Sequence, residues 1–110
     1  MGIDDPTTVT RLIDRMQAHL PIPALPTGQF VRALRERGLK LSTQRAVLIN
    51  RVFYLGDEGG ISCDVTPSGD AKAAFVVSLT HLRVAPGHPL ARDIRAYQRE
   101  RVRRIAESGR

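Results

Sequence analysis

The stretch from Pro89 to Glu107 constrains the fold most, because its spacing predicts one helix with two chemically opposed faces. At about 100° per residue, four arginines fall within an arc of roughly 80°, and five apolar side chains gather on the other side. These residues are Arg92, Arg95, Arg99 and Arg103 on one face, and Leu90, Ile94, Tyr97, Val102 and Ile105 on the other. We therefore expect this helix to lie on a core with its cationic face outward.

The length of the chain bounds the rest of the fold. A chain of 110 residues, 42% apolar and 25% charged, has the size and composition of one globular domain with one core. We therefore treat residues 1–110 as a single small domain.

The charge of the chain is strongly positive, with a formal net charge of +6 and a pI of about 10.7. Such a balance attracts polyanions, including nucleic acids and acidic protein surfaces. The skew toward arginine, with Lys40 and Lys72 as the only lysines, is also what a GC-rich genome produces without selection for binding. The basic residues are concentrated in segments 28–51 and 88–110.

The sequence predicts a cytoplasmic protein. Cys63 is the only cysteine, so no internal disulfide can form, which is compatible with a reducing compartment. The first residues are acidic and lack the apolar segment of a secretory signal. No apolar run approaches the length that spans a bilayer, so we expect no membrane association.

Two helices are predicted in the N-terminal half. Asp5 is a good cap for the first helix, and Pro6 suits the position that follows a cap. Thr27 can cap the second helix, which Gly38 would close and which would present Arg32 and Arg35 outward. Between them, residues 20–27 contain three prolines, which favour an extended surface strap over a helix or a sheet strand.

The middle of the chain predicts a three-stranded antiparallel β-meander. Residues 42–55 are open to two interpretations, since their β-branched and aromatic residues favour a strand while Ser42 or Thr43 can cap a helix. A glycine-rich turn at 56–60 leads into strict alternation from Ile61, which favours the hairpin. A second turn at 67–70 precedes a long predicted strand from Ala73 to Val84.

The expected architecture is thus α+β: two N-terminal helices, a three-stranded antiparallel meander, and a C-terminal amphipathic helix packed on the sheet. A three-stranded sheet has two open edges, which a helix has to cover or a second copy of the chain has to pair with. A homodimer is compatible with this expectation.

No arrangement of residues in the sequence predicts a catalytic, cofactor or metal site, so we expect a protein that is not an enzyme. Cys63, His81 and His88 lack the short spacings that are typical of zinc ligands, and the sequence leaves open whether they converge in space. Asp57 and Glu58 lie in the glycine-rich turn, where neighbouring carboxylates are normally solvated.

Residues 34–48, with Gly38 ending one helix and Ser42-Thr43-Gln44-Arg45 starting the next, resemble the opening of the ferric-uptake-regulator family of winged-helix repressors. The resemblance implies a DNA-binding regulator in which residues 42–55 are helical. It covers a small part of the chain, and the His- and Cys-rich metal-binding half of that family has no counterpart here.

The main functional expectation is a small, non-enzymatic binding module whose basic helical face contacts an acidic protein or a nucleic acid. The predicted contact residues are Arg92, Arg95, Arg99, Arg103, Arg32 and Arg35. A solvated surface helix with internal salt bridges is the competing interpretation, because Glu100 can reach Arg103 and Arg104. A transcriptional regulator with a winged-helix-like N-terminal half is the alternative function.

Overall fold

A computed structural model describes residues 4–38, 40–67 and 74–108 of the chain. In these residues the elements are α1 (Pro6–Gln17), β1 (Ile22–Pro26), α2 (Gly28–Arg35), β2 (Val47–Tyr54), α3 (Gly56–Gly59), β3 (Ile61–Pro67), β4 (Phe75–Ser78), a 3₁₀ turn (Leu79–His81), β5 (Leu82–Val84) and α4 (Ala91–Ser108). The class is α+β, as expected. Part of the turn predicted at 67–70 lies outside the described residues.

The sheet corrects the predicted three-stranded meander. It contains five antiparallel strands in the order β4-β3-β2-β1-β5 and forms a half-barrel. β2, β3 and β4 follow the expected order, but β1 and β5 add two strands on the far side of β2. The two N-terminal helices are therefore separated by a strand of the sheet.

Local capping signals place the first two helices correctly. The Asp5 side chain accepts a hydrogen bond from the Thr8 amide, so the α1 start is confirmed. The Thr27 side chain likewise accepts from the Phe30 amide at the start of α2. Because each cap satisfies backbone amides that have no partner within the helix, the start of each helix is set by residues close in sequence.

The proline-rich segment was wrongly predicted as a surface strap, since most of it forms β1 between β2 and β5. Pro23 pairs with β2 but lies outside the ladder with β5, and Pro26 pairs with β5 but lies outside the ladder with β2. Each of these prolines is therefore paired with a strand on one side only. On the other side, the hydrogen bond that proline cannot donate is not required. Ala24 pairs with both neighbouring strands.

The β2–β3 hairpin settles the two interpretations of residues 42–55. Val47–Tyr54 is a strand, paired with β3 from Val47 opposite Pro67 to Tyr54 opposite Ile61. The predicted strand is thus confirmed, and the helix implied by the resemblance to winged-helix repressors is wrong. The connecting turn contains α3 and closes at Gly60, whose φ of 63° lies in the left-handed region that favours glycine.

The first residue of the predicted long strand from Ala73 to Val84 lies outside the described residues, and the rest of that strand is interrupted. β4 ends at Ser78, the 3₁₀ turn follows, and β5 then pairs with β1 at the opposite edge of the sheet. The His81 carbonyl accepts a hydrogen bond from the Thr27 amide at 2.9 Å. The Gln98 side chain of α4 donates to the carbonyls of Leu79 and Leu82, each at 2.7 Å. These long-range hydrogen bonds hold the turn that joins the two edge strands.

One contiguous core lies between the sheet and helices α1 and α4. The largest fully buried apolar side chains include Met16, Ile22, Ile49, Ile61, Leu79, Leu82, Leu90 and Ile94. The edges of the sheet belong to β4 and β5, and the 3₁₀ turn joins these two strands. The homodimer stays a prediction.

Helix α4 packs on this core along a narrower stripe than expected. Leu90 and the α4 residues Ile94 and Tyr97 are buried, but Val102 is 57% exposed and Ile105 is 43% exposed. The expectation that both would be covered is wrong. Val102 lies roughly 110° around the helix from the centre of the buried stripe, and Ile105 lies beyond its last buried residue.

Candidate functional site

Three of the four arginines that the sequence predicted on the outer face of α4 form an exposed cationic surface. Arg92, Arg95 and Arg99 are exposed and fall within an arc of roughly 60°. None of them forms a salt bridge or a side-chain hydrogen bond with another residue in segments 4–38, 40–67 and 74–108. We call these three residues the arginine row.

Arg103 differs from the arginine row because it is internally paired. Its guanidinium forms ion pairs with Glu100 and, at 2.7 Å, with Glu107. Hydrogen bonds and charge from Glu100 raise the pKa of Arg103, and hydrogen bonds from Arg103 and Arg104 lower the pKa of Glu100. The predicted contact of Glu100 with both arginines is confirmed.

The acidic residues of α4 lie on the flank that faces α1. Asp93 pairs with Arg15 of α1, and Glu100 pairs with Arg104 at 2.8 Å. The carboxylates of the helix are therefore engaged on one flank, and the arginine row on the outer face is left without a neutralising partner among the described residues.

Arg32 and Arg35 are exposed on α2. Both α2 and α4 reach the 3₁₀ turn: Phe30 of α2 stacks on His81 at 5.3 Å between ring centroids, and Gln98 of α4 bonds to the turn. The two basic helices therefore flank one structural element.

A groove of about 1180 Å³ separates α1 from α4. Its lining combines apolar side chains, such as Val9 and Leu12, with residues of mixed charge that include Asp4, Tyr54, Tyr97, Glu100, Arg101 and Arg104. Sequence reasoning did not single out Arg101, which is only 3% exposed. The signal was present in the spacing, because residue 101 follows residues 90, 94 and 97 at helical intervals on the buried stripe.

Arg101 and Asp4 form a buried ion pair at the floor of this groove. Arg101 Nη1 donates to Asp4 Oδ2 at 2.8 Å, and Arg101 Nη2 donates to the Asp57 carbonyl at 2.7 Å. The side chains of Asp4 and Arg101 are 3% and 2% exposed. Buried charges of this kind require a partner, because solvation by water is lost.

Two tyrosine hydroxyls complete the cluster. Tyr54 Oη donates to Asp4 Oδ2 at 3.1 Å, and Tyr97 Oη approaches the same oxygen at 3.4 Å. Tyr97 Oη also accepts from the Ile61 amide at 2.8 Å. Burial, above all, raises the pKa of Tyr97 to about 12, and burial followed by the Asp4 charge raises the pKa of Tyr54.

Cys63, His81 and His88 do not converge. Cys63 is fully buried in the core, where burial raises the pKa of its thiol to about 12. His81 stacks on Phe30, and burial lowers its pKa, whereas the His88 ring lies 5.7 Å from His19. Across the described ranges, no three His, Cys, Asp or Glu side chains form a group that could hold a metal ion.

Comparison with protein-family models, with curated proteins and with solved structures finds no match to this chain. In the part of the chain that the structure describes, no helix has the length and apolar character needed to cross a membrane.

Proposed function

We propose that this chain is a small, non-enzymatic binding module that uses the arginine row to contact an acidic protein or a nucleic acid. The observation that carries the proposal is the separation of charge around α4. Its carboxylates pair on the flank toward α1, while Arg92, Arg95 and Arg99 point outward with no carboxylate partner in the described segments.

The chemistry of arginine supports this function. A guanidinium stays charged at every physiological pH and can donate two parallel hydrogen bonds to a carboxylate or a phosphate. The row extends over two turns, about 10 Å along the axis of a helix that rises 1.5 Å per residue. Leu90, Ile94 and Tyr97 pack into the core, so the row is presented on a helix that is anchored to the rest of the domain.

The two exposed arginines of α2 add a second group of cations to the proposed surface. Arg32 and Arg35 lie on the helix that flanks the same 3₁₀ turn. Arg103 contributes less to this surface, because a partner would first have to compete with Glu100 and Glu107. We therefore place Arg103 at the margin of the contact.

A DNA-binding regulator of the winged-helix type is not proposed, because the helix on which that alternative depended is strand β2. The cytoplasmic location and the absence of enzymatic activity stay predictions.

The proposal is tested by replacing Arg92, Arg95 and Arg99 together with Gln. We expect the triple variant to lose retention on heparin, on a duplex oligonucleotide or on a polyglutamate resin, with an unchanged urea unfolding curve. A matched control replaces Arg37, Lys40 and Arg45 with Gln, which removes the same charge from exposed positions elsewhere.

Equal losses in the two triple variants would mean that net charge alone drives retention, and the arginine row would then have no special role. Loss on the nucleic acid but not on polyglutamate would identify a nucleic acid as the partner class. The reverse pattern would identify an acidic protein.

A further inference from the structure

A separate feature of the molecule, which does not involve the arginine row, is the convergence of hydrogen-bond donors on Asp4. Three groups from two elements, Tyr54 of β2 with Tyr97 and Arg101 of α4, approach the single oxygen Asp4 Oδ2. Their target lies on the short segment that precedes α1, outside any helix or strand. We call Tyr54, Tyr97 and Arg101 the carboxylate pocket.

The carboxylate pocket is held in place by contacts that do not involve Asp4. Arg101 is fixed through Nη2 by the Asp57 carbonyl, and the Tyr97 hydroxyl is fixed by the Ile61 amide. Gly60 lets the backbone approach this closely, since a Cβ there would lie 2.5 Å from Tyr97 Oη and 2.7 Å from Arg101 Cζ. The donors are thus preorganised by the β2–β3 turn.

The carboxylate pocket borders a groove, and the Asp4 side chain fills the space between them. Tyr54, Tyr97 and Arg101 all line the groove between α1 and α4, whose volume of about 1180 Å³ can admit a small molecule or the end of a peptide. Asp4 belongs to no helix or strand, and displacing its side chain leaves a buried guanidinium that needs another anion.

We propose that the carboxylate pocket is a binding site for an external carboxylate, and that Asp4 occupies it as an internal ligand. One charged guanidinium and two hydroxyls direct their hydrogen bonds at a single point, which suits the negatively charged oxygen of a carboxylate. Three separate donors on the surface would not provide this convergence. Asp4 competes at an effective concentration on the order of mM, because it is tethered to α1 by one residue. External ligands therefore bind tightly only when Asp4 is displaced or removed. This inference is independent of the arginine row.

Chemical rescue tests the proposal on the full chain. Asp4→Ala lowers the melting temperature, and sodium formate or acetate is expected to raise it again relative to sodium chloride at equal ionic strength. At a carboxylate concentration ten times its Kd, the ratio of folded to unfolded protein rises about elevenfold. The wild-type protein, whose pocket is filled, should show no such selective response.

Asp5→Ala is the matched control. It removes the neighbouring carboxylate, which caps α1 and is exposed, so it lowers stability without opening the pocket. We expect no selective response to acetate in this variant. A response of Asp5→Ala equal to that of Asp4→Ala would overturn the proposal, as would the absence of any selective response in Asp4→Ala.

Two further arms define the ligand. Inorganic phosphate in place of acetate tests the anion, and a response to phosphate alone overturns the assignment to carboxylates. A comparison of glycylglycine with its C-terminal amide distinguishes the end of a peptide from a small free acid. Selective stabilisation by the acid form extends the site to peptide termini. A response to acetate alone restricts the site to small acids.

Tyrosine absorbance gives a readout if Asp4→Ala does not fold. Asp4→Ser keeps a short acceptor oxygen but removes the carboxylate, so it leaves room for an added anion. After burial, the Asp4 charge is the next cause of the raised pKa of Tyr54 in the wild-type protein. The titration of tyrosine at 295 nm should therefore begin at lower pH in Asp4→Ser, and acetate should shift it back. An acetate-insensitive titration in this variant overturns the proposal.

Discussion

Arg99 and Arg101 lie two residues apart on α4 and occupy opposite environments. Arg99 belongs to the exposed arginine row, whereas Arg101 is 3% exposed and paired with Asp4. The comparison teaches that helical position, and not residue type, decides what a charge does. A charge on the outer face stays solvated and available to a partner, while a charge on the buried stripe has to be satisfied inside the molecule.

The largest expected effect is the difference in stability between variants that lack one or the other of these two arginines. Arg101→Met leaves Asp4 buried without its charged partner and should lower the free energy of unfolding by about 3–5 kcal/mol. Arg99→Met should change it by no more than about 0.5 kcal/mol. Urea unfolding of both variants measures the difference, and similar values for the two would break the comparison.

The next effect concerns the backbone that approaches the buried arginine. Gly60→Ala places a Cβ 2.5 Å from Tyr97 Oη at a φ of 63°, so it should cost about 2–4 kcal/mol through overpacking and backbone strain. Gly28→Ala is the matched control, because nothing lies within 4 Å of its new Cβ. Its free energy of unfolding should be unchanged or slightly higher, and an equally mild Gly60→Ala would contradict the account.

A smaller effect is expected from the hydroxyl of Tyr97. Tyr97→Phe removes the acceptor of the Ile61 amide and should lower stability by about 1–3 kcal/mol at neutral pH. The folded pKa of about 12 lies above the ordinary value of 10.0. The unfolded state therefore loses its proton first, so this contribution is fully present below pH 10 and is lost as the pH rises toward 12.

Unfolding curves at pH 7 and across pH 10–12 test this window. The gap in stability between wild type and Tyr97→Phe should close as the pH rises through it. A gap that stays constant to pH 12 would mean that Tyr97 does not titrate as a buried group.

Much of the local structure could be predicted from the sequence, because its signals are local. The Asp5 and Thr27 caps set the starts of α1 and α2, and the alternation of Ile61, Cys63 and Val65 identified β3. In each case the pattern that indicates the element lies within a few residues along the chain.

The features that sequence reasoning missed depend on contacts between distant segments. The proline-rich strap becomes β1 because β2 and β5 approach it from either side, and the strand after Ala73 is broken because Thr27 and Gln98 hold the 3₁₀ turn. Nothing in the local pattern specifies those partners.

The candidate site likewise combines a feature that local spacing predicts with a feature that depends on distant segments. Helical spacing alone predicted the face of α4 that carries Arg92, Arg95, Arg99 and Arg103, and these side chains are exposed as expected. Arg101 was missed, although its spacing places it on the buried stripe. Its partner Asp4 lies 97 residues away in sequence, which no periodicity can indicate.

The salt dependence of polyanion binding tests the central claim most directly. With a duplex oligonucleotide as the probe, the slope of log K against log salt concentration changes by about 0.9 for each phosphate contact. If the arginine row forms three such contacts, replacing Arg92, Arg95 and Arg99 with Gln should reduce the slope by up to about 2.7, while the control at Arg37, Lys40 and Arg45 should leave it nearly unchanged. An unchanged slope and wild-type affinity of the row variant for the duplex, together with unchanged retention on polyglutamate, would contradict the account.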